Sequence, residues 1–147
     1  MNNFDYFTAK QVCKITGIEY STLDYWDRTG FIKPSCAEGN GTGSRRQYSF
    51  QDLIAIKVAM ALKNQGVTLQ KLRKVVDYLK IRNELVHQPL TNAILISDGK
   101  DVFEITESKD ILVDILSGGQ LVWALAMDKF IHKLEIRAKR ILRQDAA

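Results

Sequence analysis

The sequence is poor in the residues from which catalytic and metal centres are built. Its 147 residues include two His, two Cys and two Pro. His87 and His132 lie far from each other and from Cys13 and Cys36, and no Ser-His-Asp or Cys-His spacing stands out. The two cysteines lack the paired spacing of a zinc or redox motif and read as reduced cytosolic thiols. Asp98 and Asp101 are accounted for as turn residues without a metal. No strand-loop-helix G-x-x-x-x-G-K-[ST] pattern occurs, so Gly39, Gly41 and Gly43 do not read as a phosphate cradle. No apolar run reaches the roughly 18 residues of a membrane span. No signal-peptide pattern is visible either, so neither a span nor export is expected. These absences point to a protein that is not an enzyme and that takes no cofactor or metal.

What is present is ordinary for a soluble globular chain. Hydrophobic residues make up 46% and charged residues 26%, enough to bury a core in one domain or two small ones. The net charge of +4 is unevenly placed. Residues 1–86 hold 13 Lys/Arg against 8 Asp/Glu, whereas residues 87–147 hold 8 against 9. The basic excess therefore lies in the N-terminal part, where phosphate binding would need it.

The chain is organised around residues 8–48. Residues 1–6 read as a loosely held lead. Thr8 and Gln11 have capping-box spacing for a first helix, Val12 and Ile15 give it an apolar face, and Gly17 ends it. A second helix from about Tyr20 to Thr29 buries Leu23 and Trp26. Two short helices across a Gly-containing turn form a helix-turn-helix, whose second helix enters a DNA major groove. Phe31 to Lys33 is extended, because Pro34 disfavours helix before it. The Gly-rich stretch to Ser44 forms a mobile tip, and Arg45-Arg46-Gln47-Tyr48 reads as the returning strand of a β-ribbon. A third helix starts at Ser49 with a second capping-box spacing to Asp52, and its apolar residues cover most of its circumference, as expected of the core of this region. Gly66 ends it and Thr68 caps a fourth helix over about 68–86. There Leu69, Leu72, Val76, Leu79, Asn83 and Val86 form a heptad seam. The seam suits either a helix packed within its own subunit or a short interchain coil with Asn83 fixing register.

His87-Gln88-Pro89 marks a boundary. Residues 93–96 and 102–105 flank an Asp98-Gly99 turn, a hairpin signal. A helix starting at Ser108 or Asp110 stops at Gly118-Gly119, and Leu121 to Met127 suits a buried third strand. Asp128 caps a last helix to about Arg143, with Met127, Ile131, Leu134, Ala138 and Ile141 as its seam and Lys139, Arg140 and Arg143 near its C-terminal dipole.

The stretch Gly17-Ile18, Thr22-Leu23-Asp24-Tyr25-Trp26-Asp27-Arg28, Gly30-Phe31-Ile32-Lys33-Pro34, with Arg46-Gln47-Tyr48-Ser49-Phe50-Gln51-Asp52-Leu53 and Gly66-Val67-Thr68-Leu69, resembles the DNA-binding head of MerR-family transcription regulators. It spans about residues 7–80 in order and spacing. The tail, with Ser97-Asp98-Gly99 and Gly118-Gly119-Gln120, is similar to a subgroup with a small C-terminal domain. The expected fold is α+β, mainly α. A winged helix-turn-helix head with its following helix (7–86) precedes a small α+β dimerisation or effector domain (91–143), which carries a short antiparallel sheet and a final long helix. The resemblance implies a bacterial cytoplasmic, nucleoid-associated transcription regulator. It binds a pseudo-palindromic promoter site as a homodimer and distorts the double-stranded DNA, with RNA polymerase as a partner at the promoter. Some members of the family sense metal through cysteines after the long helix, and here no cysteine follows residue 36.

The expected DNA-binding residues are Tyr20, Ser21, Tyr25, Arg28, Lys33, Arg45, Arg46 and Tyr48. Tyr20 and Ser21 sit at the end of the helix that reads base edges. The Tyr25 hydroxyl is within reach of a phosphate, Arg28 and Lys33 flank the end of the helix, and Arg45, Arg46 and Tyr48 form a wing set that positions more than it specifies. Asp24, where many members have Arg, and Glu19, where a Ser often caps the helix, put acid near this surface. These acids lend weight to a protein-binding adaptor of the co-chaperone-modulator type, against which the basic wing argues. A third alternative is an architectural DNA binder such as a recombination directionality factor.

Overall fold

The computed structural model describes residues 4–37, 46–85, 94–97, 102–105 and 123–146. Among them are five helices and five short strands, an α+β fold that is mainly helical. In chain order they are β1 (Phe7–Thr8), α1 (Ala9–Thr16), α2 (Tyr20–Arg28), β2 (Gln47–Tyr48), α3 (Phe50–Asn64) and α4 (Leu69–Leu85), then β3 (Ile94–Ser97), β4 (Val102–Ile105), β5 (Trp123–Ala126) and α5 (Met127–Ala146). Their contacts form two compact units, Met1–Met60 with Lys133–Ala147, and Ala61–His132. The expected boundary at 87–90 and the expected helix from Ser108 or Asp110 lie outside the described residues.

In the first unit the helix ends follow the local sequence. The Thr8 N–H donates to Gln11 Oε1 at 3.0 Å and the Gln11 N–H donates back to Thr8 Oγ1 at 3.2 Å, closing the capping box. Gly17 adopts φ +82°, a left-handed conformation that L side chains resist, and its N–H donates to the Cys13 carbonyl. Thr16 steadies the turn: its hydroxyl donates to the Val12 carbonyl and accepts from the Ile18 N–H.

The end of α2 is set by a second left-handed glycine. Gly30 takes φ +77°, with Gly30 N–H bonded to Asp27 O and Phe31 N–H bonded to Trp26 O. This is a Schellman stop, and its usual apolar contact is present. The rings of Trp26 and Phe31 meet edge to face at 4.9 Å. The stop drives Phe31 and Ile32 into the core, where each is buried.

The lead segment is more ordered than expected. Phe4 packs on Phe7 and Phe50 at 5.1 and 5.2 Å, and Phe7 is fully buried. Phe7–Thr8 pairs antiparallel with Gln47–Tyr48. On the other side of β2, Ala37 and Gln47 exchange both backbone hydrogen bonds, at 3.1 and 2.8 Å. The base of the ribbon therefore has β2 at its centre, and the Gly-rich tip lies outside the described residues. Two-residue strands separated by about forty residues leave no periodic trace in a sequence.

The core of this unit is built from Val12, Ile15, Leu23, Trp26, Leu53 and Ile56 with the buried rings of Phe7 and Tyr48. The part of α5 from Lys133 onward belongs to the same unit. Asp145 accepts from Gln11 Nε2 at 3.0 Å and lies 3.6 Å from Lys14 Nζ, and Arg137 donates to the Lys14 carbonyl.

In the second unit the three-stranded antiparallel sheet has the order β4-β3-β5. Ser97 faces Val102 across the expected hairpin, and Ile94 faces Ala126 in the third strand. Along α4 Leu72, Val76 and Leu79 are buried within the single chain, while Leu69 is half exposed. The side chains of Asn83 and Val86 lie outside those described. Of the expected α5 seam, Met127 and Ile131 are buried in this unit, and in the first unit Leu134 and Ala138 are buried while Ile141 is half-buried.

Ser49 and Asp52 close the second capping box at 2.9 and 3.1 Å, and Asp52 also accepts from the N–H and hydroxyl of Ser35 at 2.9 and 2.7 Å. This one buried carboxylate joins the start of α3 to the segment after Pro34. Asp52→Ala should lower unfolding stability by about 2–3 kcal/mol, the size expected when hydrogen bonds to a buried charge are lost. Urea denaturation checks this, and a loss below about 0.5 kcal/mol would mean that the three bonds accepted by the carboxylate contribute little.

Candidate nucleic-acid interface

The expected interface residues fall into two groups. On α2, Tyr20 and Tyr25 are exposed by 60% and 50%, and Ser21 is exposed beside them. Arg28 continues this face one turn on, with its side chain 64% exposed. Its guanidinium carbon lies 5.8 Å from the centre of the Tyr25 ring, within cation–π range. Glu19 is the N-cap of α2 but makes no side-chain cap bond. Lys33 lies past the Schellman stop, half exposed, with its ammonium 3.3 Å from Asp27.

Arg46 and Tyr48 are placed differently. The Tyr48 ring is fully buried, and burial pushes its phenol upward against the opposing charge of Arg46. A side chain with no surface packs the head instead of touching a partner. Arg46 keeps only 17% of its side chain exposed. Its Nε lies 2.7 Å from Asp27 Oδ2 in an ion pair, and its Nη2 donates to Asp24 Oδ1. Asp24 in turn accepts from Arg28 Nε at 2.9 Å through its other oxygen. Arg45 lies outside the described residues.

These contacts join into a chain of alternating charge: Arg28, Asp24, Arg46, Asp27, Lys33. Asp24 and Asp27 are three residues apart on α2 and so project from one side of it. Arg46 comes from the base of the wing. The network therefore fastens wing to helix. Burial disfavours the Arg46 charge, but its carboxylate partners outweigh that effect. Arg46, and then Arg28, hold the Asp24 carboxyl below its ordinary 3.8. Charge count alone reads Arg46 as a surface residue. Its inward position could be sensed in the sequence only through the two acids spaced on α2.

A pH dependence follows. Because the folded pKa of Asp24 is depressed, its contribution to stability is present above about pH 4 and is lost as pH falls through the depressed value. Arg46→Ala, which takes one of two cations from a nearly buried Asp27, should cost about 2–3 kcal/mol near pH 7. That difference from the parent should shrink as pH falls below about 4, through the depressed Asp24 value. Denaturation across this range tests it, and a pH-independent difference would show that the carboxylates do not carry the effect.

Residues 7–79, which contain this surface, match the family described as MerR HTH family regulatory protein. The chain is also 38% identical over 128 residues to uncharacterised HTH-type transcriptional regulators of Mycobacterium bovis and Mycobacterium tuberculosis. The aligned region covers 87% of this chain and 55% of each relative, so the chain spans about half the length of the curated relatives it matches. Through residues 7–79, with their helix-turn-helix and the base of a wing, the chain belongs to the MerR HTH family of regulatory proteins.

Proposed function

We propose that the protein regulates transcription by binding a specific double-stranded DNA site as a homodimer, with each head occupying one half of a pseudo-palindromic promoter sequence. The observation that carries this reading is the exposed face of α2 in a MerR-family head. Tyr20, Ser21, Tyr25 and Arg28 present hydroxyls, a guanidinium and aromatic surface on one helix, beside the base of a wing. Tyr20 and Ser21, at the N-terminal end of that helix, reach base edges. Lys33 and Arg45 meet phosphates, contacts that fix register and give salt-dependent affinity, while Arg28 reaches a base edge from the exposed face of the same helix. Arg46 and Tyr48 contribute from inside the head, by holding the wing in place. Gripping phosphates at both ends of the site bends and untwists the promoter, which alters how RNA polymerase engages it. The division of labour between a head at 7–86 and a dimerisation or effector part at 91–143 belongs to this proposal. So do a cytoplasmic, nucleoid-associated location and the lack of catalysis.

One observation weakens the adaptor alternative. The Asp24 acid that favoured it is spanned by two guanidiniums, so it does not stand as a free negative charge on the helix.

Selection of bound sequences from random DNA tests the reading, because it reports binding, sequence preference and half-site spacing together. Two symmetric half-sites are expected. Tyr20→Ala and Ser21→Ala should each cost about 1–3 kcal/mol on the selected site and relax preference at one position, while random DNA is bound as before. Sedimentation equilibrium at micromolar protein should show a dimer. A strictly monomeric species, with and without DNA, would remove the two-half-site arrangement.

A further inference from the structure

Asp24 stands on the helix proposed above to enter DNA, where an unpaired carboxylate would repel phosphates. Its two oxygens are instead divided between two cations. Oδ2 accepts from Arg28 Nε at 2.9 Å and Oδ1 accepts from Arg46 Nη2. The two arginines differ sharply, with side-chain exposures of 64% for Arg28 and 17% for Arg46. Arg46 is fixed a second time by Asp27, at 2.7 Å. Asp24 is therefore anchored on its inner side by a nearly buried guanidinium and offers its outer oxygen to an exposed one.

Arg28 is then held in two ways. Its Nε–H is engaged edge-on by Asp24, and its guanidinium plane lies near the Tyr25 ring. Neither contact uses the four N–H bonds of the terminal nitrogens. A planar fork held this way presents paired donors in a fixed direction, which suits bidentate recognition of a guanine edge. An arginine free to rotate carries the same charge but must lose its rotamer freedom on binding.

We propose that Asp24 is a positioning residue for DNA recognition: it aims Arg28 and ties that aim to the base of the wing through Arg46. The proposal rests on the DNA-binding reading above. Its consequence runs opposite to what charge alone dictates. Removing an acid beside phosphates strengthens attraction to every DNA. Removing this acid also releases Arg28, which weakens the selected site only.

The test compares a duplex recovered by selection from random DNA with a scrambled duplex of equal length, at several salt concentrations. Asp24→Ala should weaken the selected duplex at least tenfold. The scrambled duplex should be bound equally or a few-fold more tightly. Asp24→Glu, which keeps the carboxylate, should recover part of the lost discrimination. In an Arg28→Ala background, Asp24→Ala should change selected-site affinity less than threefold, because the residue it positions is gone. A purely structural role would lower affinity for both duplexes together and would not depend on Arg28. Should Asp24→Ala fail to fold, Arg28→Lys decides. It keeps the charge and loses the Nε–H and the fork, so it should lose about as much discrimination as Arg28→Ala. Equal tightening of both duplexes by Asp24→Ala, or parental discrimination in Arg28→Lys, would overturn the proposal. If the parent selects no sequence at all, the DNA-binding reading fails, and the positioning role falls with it for a separately visible reason.

Discussion

Arg46 carries a positive charge to a place largely shielded from water, and two carboxylates on one helix make that possible. Stripping water from a guanidinium is costly unless partners replace its hydration. Asp24 and Asp27 replace it, at one nitrogen each. Because both acids belong to α2 and Arg46 belongs to the base of the wing, the need to keep this charge paired fixes the two elements to each other. Tyr48, two residues further on, is buried where Arg46 has turned inward. Such a network adds less net stability than its Coulomb energy suggests, since burial opposes it. Its value lies in allowing few alternative geometries.

The exposed face of α2 takes its properties from this arrangement. One side of the helix is occupied by Leu23 and Trp26 in the core. A second side is occupied by the carboxylates that hold Arg46. The face that remains bears Ser21, Tyr25 and Arg28, with Tyr20 exposed in the first turn, one turn before Asp24. The Schellman stop at Gly30 sends Phe31 and Ile32 inward and brings Lys33 back to Asp27. The surface proposed to meet DNA is thus what the core and the ion pairs leave over, and its cations are held instead of freely mobile. That matters for recognition, because ordering a long side chain at an interface costs about 0.5–1.5 kcal/mol.

Local signals in the sequence translated directly into structure. The Thr8–Gln11 and Ser49–Asp52 boxes, the left-handed Gly17 and the strands flanking Asp98-Gly99 all depend on residues within a few positions of one another. Contacts across long separations were not legible. Phe7–Thr8 finds Gln47–Tyr48, Phe4 finds Phe50, and Gln11 finds Asp145. None of these pairs leaves a period, and a lead rich in aromatic and polar residues reads as loose until its ring partners are known. The site was half legible for the same reason. Helical spacing separates Tyr20, Tyr25 and Arg28 from Leu23 and Trp26. An arginine next to a glycine-rich tip reads as exposed, since the acids that bury it lie about twenty residues earlier. The same contact changes the meaning of Asp24, from a stray repulsive charge to half of an anchor.

Wing and helix are joined only if Arg46 is held in the free protein, before any DNA is bound. Nitrogen-15 NMR of the arginine side chains reports this directly, through the exchange rate of each Nε–H with water and the rotation of each guanidinium. Arg46 should show a protected Nε–H and slow guanidinium rotation, distinct from exposed arginines such as Arg140 and Arg143. Asp27→Asn should speed both. An Arg46 signal that exchanges and rotates as fast as those of Arg140 and Arg143 would contradict the account, because the wing would then have no fixed attachment to the helix.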